Sequence, residues 1–338
     1  MRRSSRHLAL LAILAAPFGA AEAQSTARTL CAFDYIGANG PMFAMARDFA
    51  AAAANWGVRF NLRAYTDENV TLGDFKAHKC DAMAVTGIAN RQLVPFAGSI
   101  MMMAALPTYE ATKTATLALL TSPKAADYNT VGNYETVATI PTGPVYLFIR
   151  NKNWKTLRDL TGKRVAVIGV DKQATAMAEF AGASLVVSDQ TDFASKFNNG
   201  SVDMTYAPAF GYTALELYKG VGTQGAVLTN FPLAQSFYQI TIYKDKFPAD
   251  FGQKGRQWSA QNIDTYIEAA KRADEQIPEN VRMNITQEQL DNYNEMFRKV
   301  RIKVREMGGT YDPRMMTLLR KVRCKYEPQK AECTEATE

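Results

Sequence analysis

FNLRAYTDENVTLGDFKAHKCDAMAVTG, residues 60–87, and SLVVSDQTDFASKFNNGSVDMTYAPA, residues 184–209, carry one four-point pattern twice. Thr66-Asp67, Phe75 and Asp81 recur 122 positions later as Ser188-Asp189, Phe197 and Asp203. Each copy reads as a strand, a short amphipathic helix behind a hydroxyl/acid cap, and a buried strand opened by an acid. Asn199-Gly200 supplies the helix stop of the second copy. A period near 120 residues far exceeds the roughly 20–50 residue units of solenoids. The repeat therefore predicts two α/β lobes of similar build, facing each other across a cleft.

Working outward from the first copy, the order is strand (TLCAFDYI), helix (Met42 to Trp56), strand (FNLRAY), helix (Asn69 to Lys79), strand (DAMAVTG) and an apolar helix from Glu110 to Leu120. Such alternation calls for a mostly parallel sheet with helices on both faces. ETVATIPTGPVYLFIRN, broken by Pro141, Gly143 and Pro144, reads as the first crossover between lobes. Around the second copy come the strand RVAVIG, a helix from Gln173 to Phe180, the strand SLVVS, a helix from Phe193 to Phe197, the strand DMTYAPA and a helix from Thr213 to Tyr218. LAQSFYQITIYKD then carries the chain back as a second hinge strand. The fold class is thus a two-lobed α/β architecture with mostly parallel sheets, two hinge strands and extra C-terminal helices.

From Gly252 onward the pattern is helical. Ile263, Tyr266, Ile267 and Ala270 make one apolar stripe, and Thr286 with Gln289 forms a capping box for a helix that runs to about Met307 before Gly308-Gly309. These helices are expected against lobe 1 and the hinge, with dimerisation the other role open to them. The expected division is a leader over 1–23, lobe 1 over 24–139 plus 242–338, and lobe 2 over 140–241.

The first 23 residues have the parts of a secretory signal: Arg2, Arg3 and Arg6, an apolar run from Leu8 to Ala16, and Ala21-Glu22-Ala23 as the cleavage site. Cleavage after Ala23 would start the exported chain at Gln24 and place it in the periplasm. The apolar run is shorter than the roughly 20 residues that span a bilayer, so the protein is not expected to be membrane-spanning itself. Its composition, 47% hydrophobic and 21% charged, is that of a globular protein. The net charge of +6 is mild and gathers late, around Arg298–Arg305 and Arg320–Lys325. No aromatic interleaving or nucleic-acid motif accompanies it, so no nucleic-acid partner is expected.

The four cysteines of an exported chain suggest two disulfides. Cys324 and Cys333 would tie down the C-terminal tail. Cys31 and Cys80 would join the first strand to the start of the third, provided those strands are parallel neighbours about 4.8 Å apart. A metal reading lacks ligands, since only His78 remains beyond the leader and there is no C-x-x-C.

In an open parallel sheet, ligands bind beyond the carboxyl ends of the strands. That rule selects Tyr35, Thr86, Asp171, Lys172 and Tyr206, with Thr142 and Gln235 from the hinge. Asp171-Lys172 opens a helix and reads either as an ordinary capped turn or as an anion site. Arg91 follows the third strand, as a clamp for an acidic ligand or as a surface arginine. Tyr35 and Tyr206 end strands of opposite lobes, as a sandwich for a ligand or as packing. His78, Asp81 and Asp203 fall on the opposite edge and read as structural. No nucleophile elbow, zinc-protease motif, phosphate loop or dinucleotide fingerprint occurs, so neither catalysis nor a cofactor is expected.

These features together resemble a periplasmic solute-binding protein. TLRDLTGKRVAVIG resembles the lobe 2 entry of binding proteins of tripartite (TRAP-like) carboxylate transporters. GSIMMMAALPTYE, ELYKGVGTQG, FPLAQ and YDPRMMTLLRKVRCKYEP are similar to a family of solute-binding proteins, some of which are named as components of aminoglycoside efflux. The resemblance implies capture of a small-molecule solute in the interlobe cleft and delivery to membrane transporter subunits. It also marks a departure: carboxylate binders of that class place an arginine where this chain has Ala166, and a second near Gly143. The competing expectation is a ligand-independent accessory protein of an envelope transport or efflux complex, docking through its basic C-terminal helices.

Overall fold

A computed structural model describes residues 26–335; the leader and the cleavage site after Ala23 lie outside the described residues. Eleven strands form one sheet: β1 (Thr26–Phe33), β2 (Val58–Tyr65), β3 (Ala82–Thr86), β4 (Thr130–Val131), β5 (Tyr134–Ile149), β6 (Arg164–Ile168), β7 (Ser184–Ser188), β8 (Met204–Pro208), β9 (Ala226–Leu228), β10 (Ala234–Tyr243) and β11 (Arg282–Met283). The main path is β2-β1-β3-β10-β5-β8-β6-β7. Pairing is parallel within β2-β1-β3 and within β8-β6-β7, and antiparallel around β10 and β5. Each copy of the repeat thus builds one parallel half, and the two crossing strands join them. The architecture is the two-lobed α/β fold that the repeat predicts.

The matched positions do matched work except at the second cap, where Asp192 and not Asp189 stands at the helix N-cap. Asp67 accepts hydrogen bonds from the backbone N–H groups of Asn69 and Val70 and caps the helix Glu68–Lys76. Asp189 accepts from Thr191 and Asp192, closing a turn that delays its helix to Phe193–Asn198. Phe75 and Phe197 are fully buried. Asp81 accepts from the N–H of Thr29 at 2.8 Å and pairs with Lys246, while Asp203 accepts from the N–H of Arg164 at 2.9 Å and pairs with that side chain. In each lobe a strand-opening acid ties down a neighbouring strand, at Thr29 within β1 and at Arg164 where β6 begins.

The hinge is a ribbon in which β10 pairs with β5 along its full length. The register slips between Ser236 and Phe237, leaving Thr142 as the extra residue of a bulge. Gly143 follows with φ +107°, a conformation that side chains resist.

Cys31 and Cys80 are bridged with their Cα atoms 5.9 Å apart, as β1 and β3 are parallel neighbours, and Cys324 is bridged to Cys333. Two expectations differ from the structure. The helix over Thr213 to Tyr218 is two short turns, Gly211–Ala214 and Tyr218–Val221, interrupted where Glu216 takes φ +54° and Leu217 is fully buried. The C-terminal helices do not keep to lobe 1 and the hinge: Pro313–Tyr326 packs on Tyr109–Thr121, but Gln287–Glu306 packs on Lys172–Phe180 beyond the crossover. Their apolar residues, among them Phe297, Val300 and Leu319, share one core with Met177 and Ala178. Among the described residues no helix is long and apolar enough to cross a membrane.

Candidate functional site

At the carboxyl ends of β1, β3, β6 and β8 the two halves line a narrow cleft of about 60 Å³. Tyr35, Glu68, Thr86 and Ile88 come from the first half, and Asp171, Gln190, Phe193 and Tyr206 from the second. Met101, Met103 and Met177 supply apolar wall, and Ala234 and Ser236 of β10 add the hinge side.

Glu68 opens the helix that Asp67 caps, which turns its side chain inward to 1% exposure. Its Oε1 accepts from the N–H of Thr86 at 2.5 Å and its Oε2 from Gln190 Nε2 at 3.0 Å. Gln190 stands 122 positions after Glu68, so one hydrogen bond joins equivalent places of the repeat across the cleft. Gln190 Oε1 and Thr86 Oγ1 are buried without a protein partner. On the facing wall, Asp171 caps its helix by accepting from the N–H of Ala174, and Tyr206 donates its hydroxyl to Asp171 Oδ2 at 3.4 Å while accepting from the N–H of Ile168.

Burial pushes the Glu68 carboxyl up to about 7, against the bonds from Thr86 and Gln190 that favour its ionised form. Asp171 is raised by burial as well, and Arg91 pulls the other way. The Tyr206 phenol is raised by burial and by the charge of Asp171. Between the ordinary glutamate value of 4.5 and about 7, the folded protein holds a proton on Glu68 that the unfolded chain has released. Stability therefore falls as pH rises through that window, by on the order of 3 kcal/mol from this group. Thermal unfolding of the ligand-free protein at pH 5 and pH 8 should show the drop, and Glu68→Gln should flatten most of it. An unchanged slope in the variant would mean that Glu68 is ionised throughout.

Of the residues selected by the strand-end rule, the structure brings Tyr35, Thr86, Asp171 and Tyr206 together on the cleft wall. Tyr35 packs by ring contacts with Phe33, Phe193 and Phe210. Arg91 is buried beside the cleft, donating to the Gly98 carbonyl at 3.4 Å with its guanidinium 5.1 Å from the Tyr311 ring centroid. Tyr311 in turn donates to Gln173, which does line the cleft. Lys172 points to solvent, Thr142 is the buried bulge residue, and Gln235 donates to the Leu106 carbonyl from a strand position whose neighbours Ala234 and Ser236 face the cleft. Glu68, Gln173, Gln190 and Ser236 are polar cleft residues that the strand-end rule passes over, and Glu68 and Gln190 stand at matched positions of the repeat. Their matched spacing in the repeat is the signal that would have found them. Among the described residues no group of three or more His, Cys, Asp or Glu side chains is placed to hold a metal ion.

Residues 50–338 match the family of solute-binding protein AdeT 1/2. The chain is similar to the probable solute-binding protein AdeT1 of Acinetobacter baumannii, 39% identical over 303 residues that cover 89% of this chain and 98% of the relative. It is also similar to AdeT2 of the same organism, 28% identical over 60% of this chain and 84% of that one. Among solved structures, a TRAP periplasmic solute-binding protein of Rhodoferax ferrireducens with bound malonate superposes with a TM-score of 0.71 at 15% identity, covering 89% of this chain and all of that one. One from Desulfovibrio salexigens with bound orotic acid gives 0.70 at 15% identity, covering 89% and 99%. The two-lobed fold is shared with those solved structures. The chain belongs to the AdeT 1/2 family of solute-binding proteins.

Proposed function

We propose that the protein works in the periplasm after removal of residues 1–23, closing its lobes on a small solute and presenting it to a membrane transporter. The lobes are 24–139 with 242–338, and 140–241, and the tail helix Gln287–Glu306 reaches across to the second. The observation that carries this reading is the pair of walls: Tyr35, Glu68 and Thr86 on one side meet Asp171, Gln190 and Tyr206 on the other, with buried polar atoms left unpartnered between them. The related folds with bound malonate and orotic acid support the same use of the cleft. Binding, not turnover, is the role this wall suits, since it offers no assembled nucleophile and base.

Binding to the folded form alone raises stability by about 2.7 kcal/mol at a hundredfold excess over the dissociation constant. A thermal-shift screen of organic acids, alcohols and amines, followed by small-angle scattering, should find a solute that stabilises and compacts the protein. Tyr206→Ala removes the hydroxyl held by Ile168 and Asp171, and should weaken that shift while leaving the fold intact. A protein of one unchanging shape that no solute stabilises would instead be the docking accessory component.

A further inference from the structure

The polar groups of the cleft are unequal in sign. Glu68 and Asp171 place two carboxyl groups on its wall, 1% and 2% exposed. Asp67 and Asp34 add negative charge around Glu68 and Tyr35. Asp34 is itself occupied, accepting from the backbone N–H groups of Ile36, Met42 and Phe43. The cation that acts on Asp171 is Arg91, and its guanidinium is engaged with the Gly98 carbonyl and the face of Tyr311. Position 166, in the strand that runs up to the cleft, is a buried alanine.

The unmet hydrogen-bonding capacity has the same bias. Gln190 is 8% exposed, and when Glu68 is ionised and accepts from Gln190 Nε2, the atom left over is the acceptor Oε1. A buried acceptor without a donor is costly, so this wall is incomplete without one. Thr86 Oγ1, 4% exposed, stands beside Glu68 as a hydroxyl that can donate or accept. Around these atoms the surface is apolar and polarisable: Met101, Met103, Met177 and Ile88, with the rings of Phe193 and Tyr35. Methionine adapts to varied hydrocarbon shapes, and tyrosine faces attract cations.

Resting on the reading of this cleft as the solute site, we propose that the solute is a small organic ammonium ion. Its nitrogen donates to Gln190 and Glu68 with Asp171 on the facing wall, and its hydrocarbon body lies on the methionines. A carboxylate in the same place would face two acids, with no free guanidinium to receive it. The ammonium ion also settles the protonation of Glu68. Where the empty cleft holds that carboxyl neutral, capture of the cation expels its proton to solvent, so binding near neutral pH releases protons.

The test is titration calorimetry and thermal shift with n-butylamine, benzylamine and 2-phenylethylamine, each beside its matched alcohol and carboxylate. The amines should bind at least tenfold more tightly than the alcohols, and the carboxylates should not bind. Repeating the amine titrations in two buffers of different ionisation enthalpy should reveal proton release near pH 6.5. Glu68→Gln and Asp171→Asn should each reduce the preference for amine over alcohol by at least tenfold while circular dichroism stays native. The two-buffer measurement on the unaltered protein serves if a variant fails to fold. Alcohols or carboxylates binding as well as amines would overturn the ammonium assignment and leave solute capture standing. If no member of the three series binds and scattering never changes, both readings fall.

Discussion

Glu332→Gln should lower the unfolding free energy by about 3–5 kcal/mol, seen as an earlier urea midpoint with an unchanged slope. Glu332 is 4% exposed and accepts from Arg323 Nε at 2.6 Å and Arg301 Nη2 at 3.2 Å, and those arginines are 0% and 2% exposed. The substitution takes a shared carboxylate from between two buried guanidinium groups, and no rearrangement at this depth returns their hydration. Both arginines also donate to the carbonyls of Met103, Ala104 and Ala105, which continue the cleft wall from Met101 and Met103. The variant should therefore lose solute affinity together with stability. A loss below about 1 kcal/mol would show that the network contributes little beyond its own desolvation.

Removing the Cys31–Cys80 bridge should cost about as much by a different route. The bridge closes a separation of 49 residues, for which chain-entropy estimates give about 4 kcal/mol. Cys31 and Cys80 are 0% and 1% exposed, so reductant should reach them only on unfolding. Urea unfolding of Cys31→Ala/Cys80→Ala should show the full loss, while dithiothreitol added to the native protein at low temperature should change nothing. Rapid native-state reduction would mean that β1 and β3 separate far more often than their pairing suggests.

The fold was legible because its evidence is local and doubled. The cap at Asp67 and the turn at Asp189, buried aromatics at Phe75 and Phe197, and strand-opening acids at Asp81 and Asp203 each act within a few residues of themselves or on an adjacent strand. The apolar stripe Ile263, Tyr266, Ile267 and Ala270 is buried as its spacing implies. Which surface a helix covers is not local information, and the placement of Gln287–Glu306 on Lys172–Phe180 could not be read from its stripe.

The site was half legible for a related reason. The strand-end rule finds Tyr35, Thr86, Asp171 and Tyr206, since position along a strand is periodic. It says nothing of which face Gln235 takes between Ala234 and Ser236, a matter of alternation and register. Glu68 follows the capping Asp67 and Gln190 follows the turn-closing Asp189, positions where polar side chains ordinarily face water. Only the apposition of the two halves buries them.

That apposition has a further consequence. A cleft made by two like units approaches twofold symmetry, and a truly symmetric cleft would admit an elongated guest head first or tail first with equal ease. The equivalent positions here hold an acid and an amide, Glu68 and Gln190, bonded to each other at 3.0 Å, so the group that meets them finds a charge-bearing partner on one lobe and a neutral one on the other. Two acids at those positions would repel across the closing gap and two amides would leave charge unread. The mismatch gives the guest a single orientation, and with it a chiral environment able to tell mirror images apart.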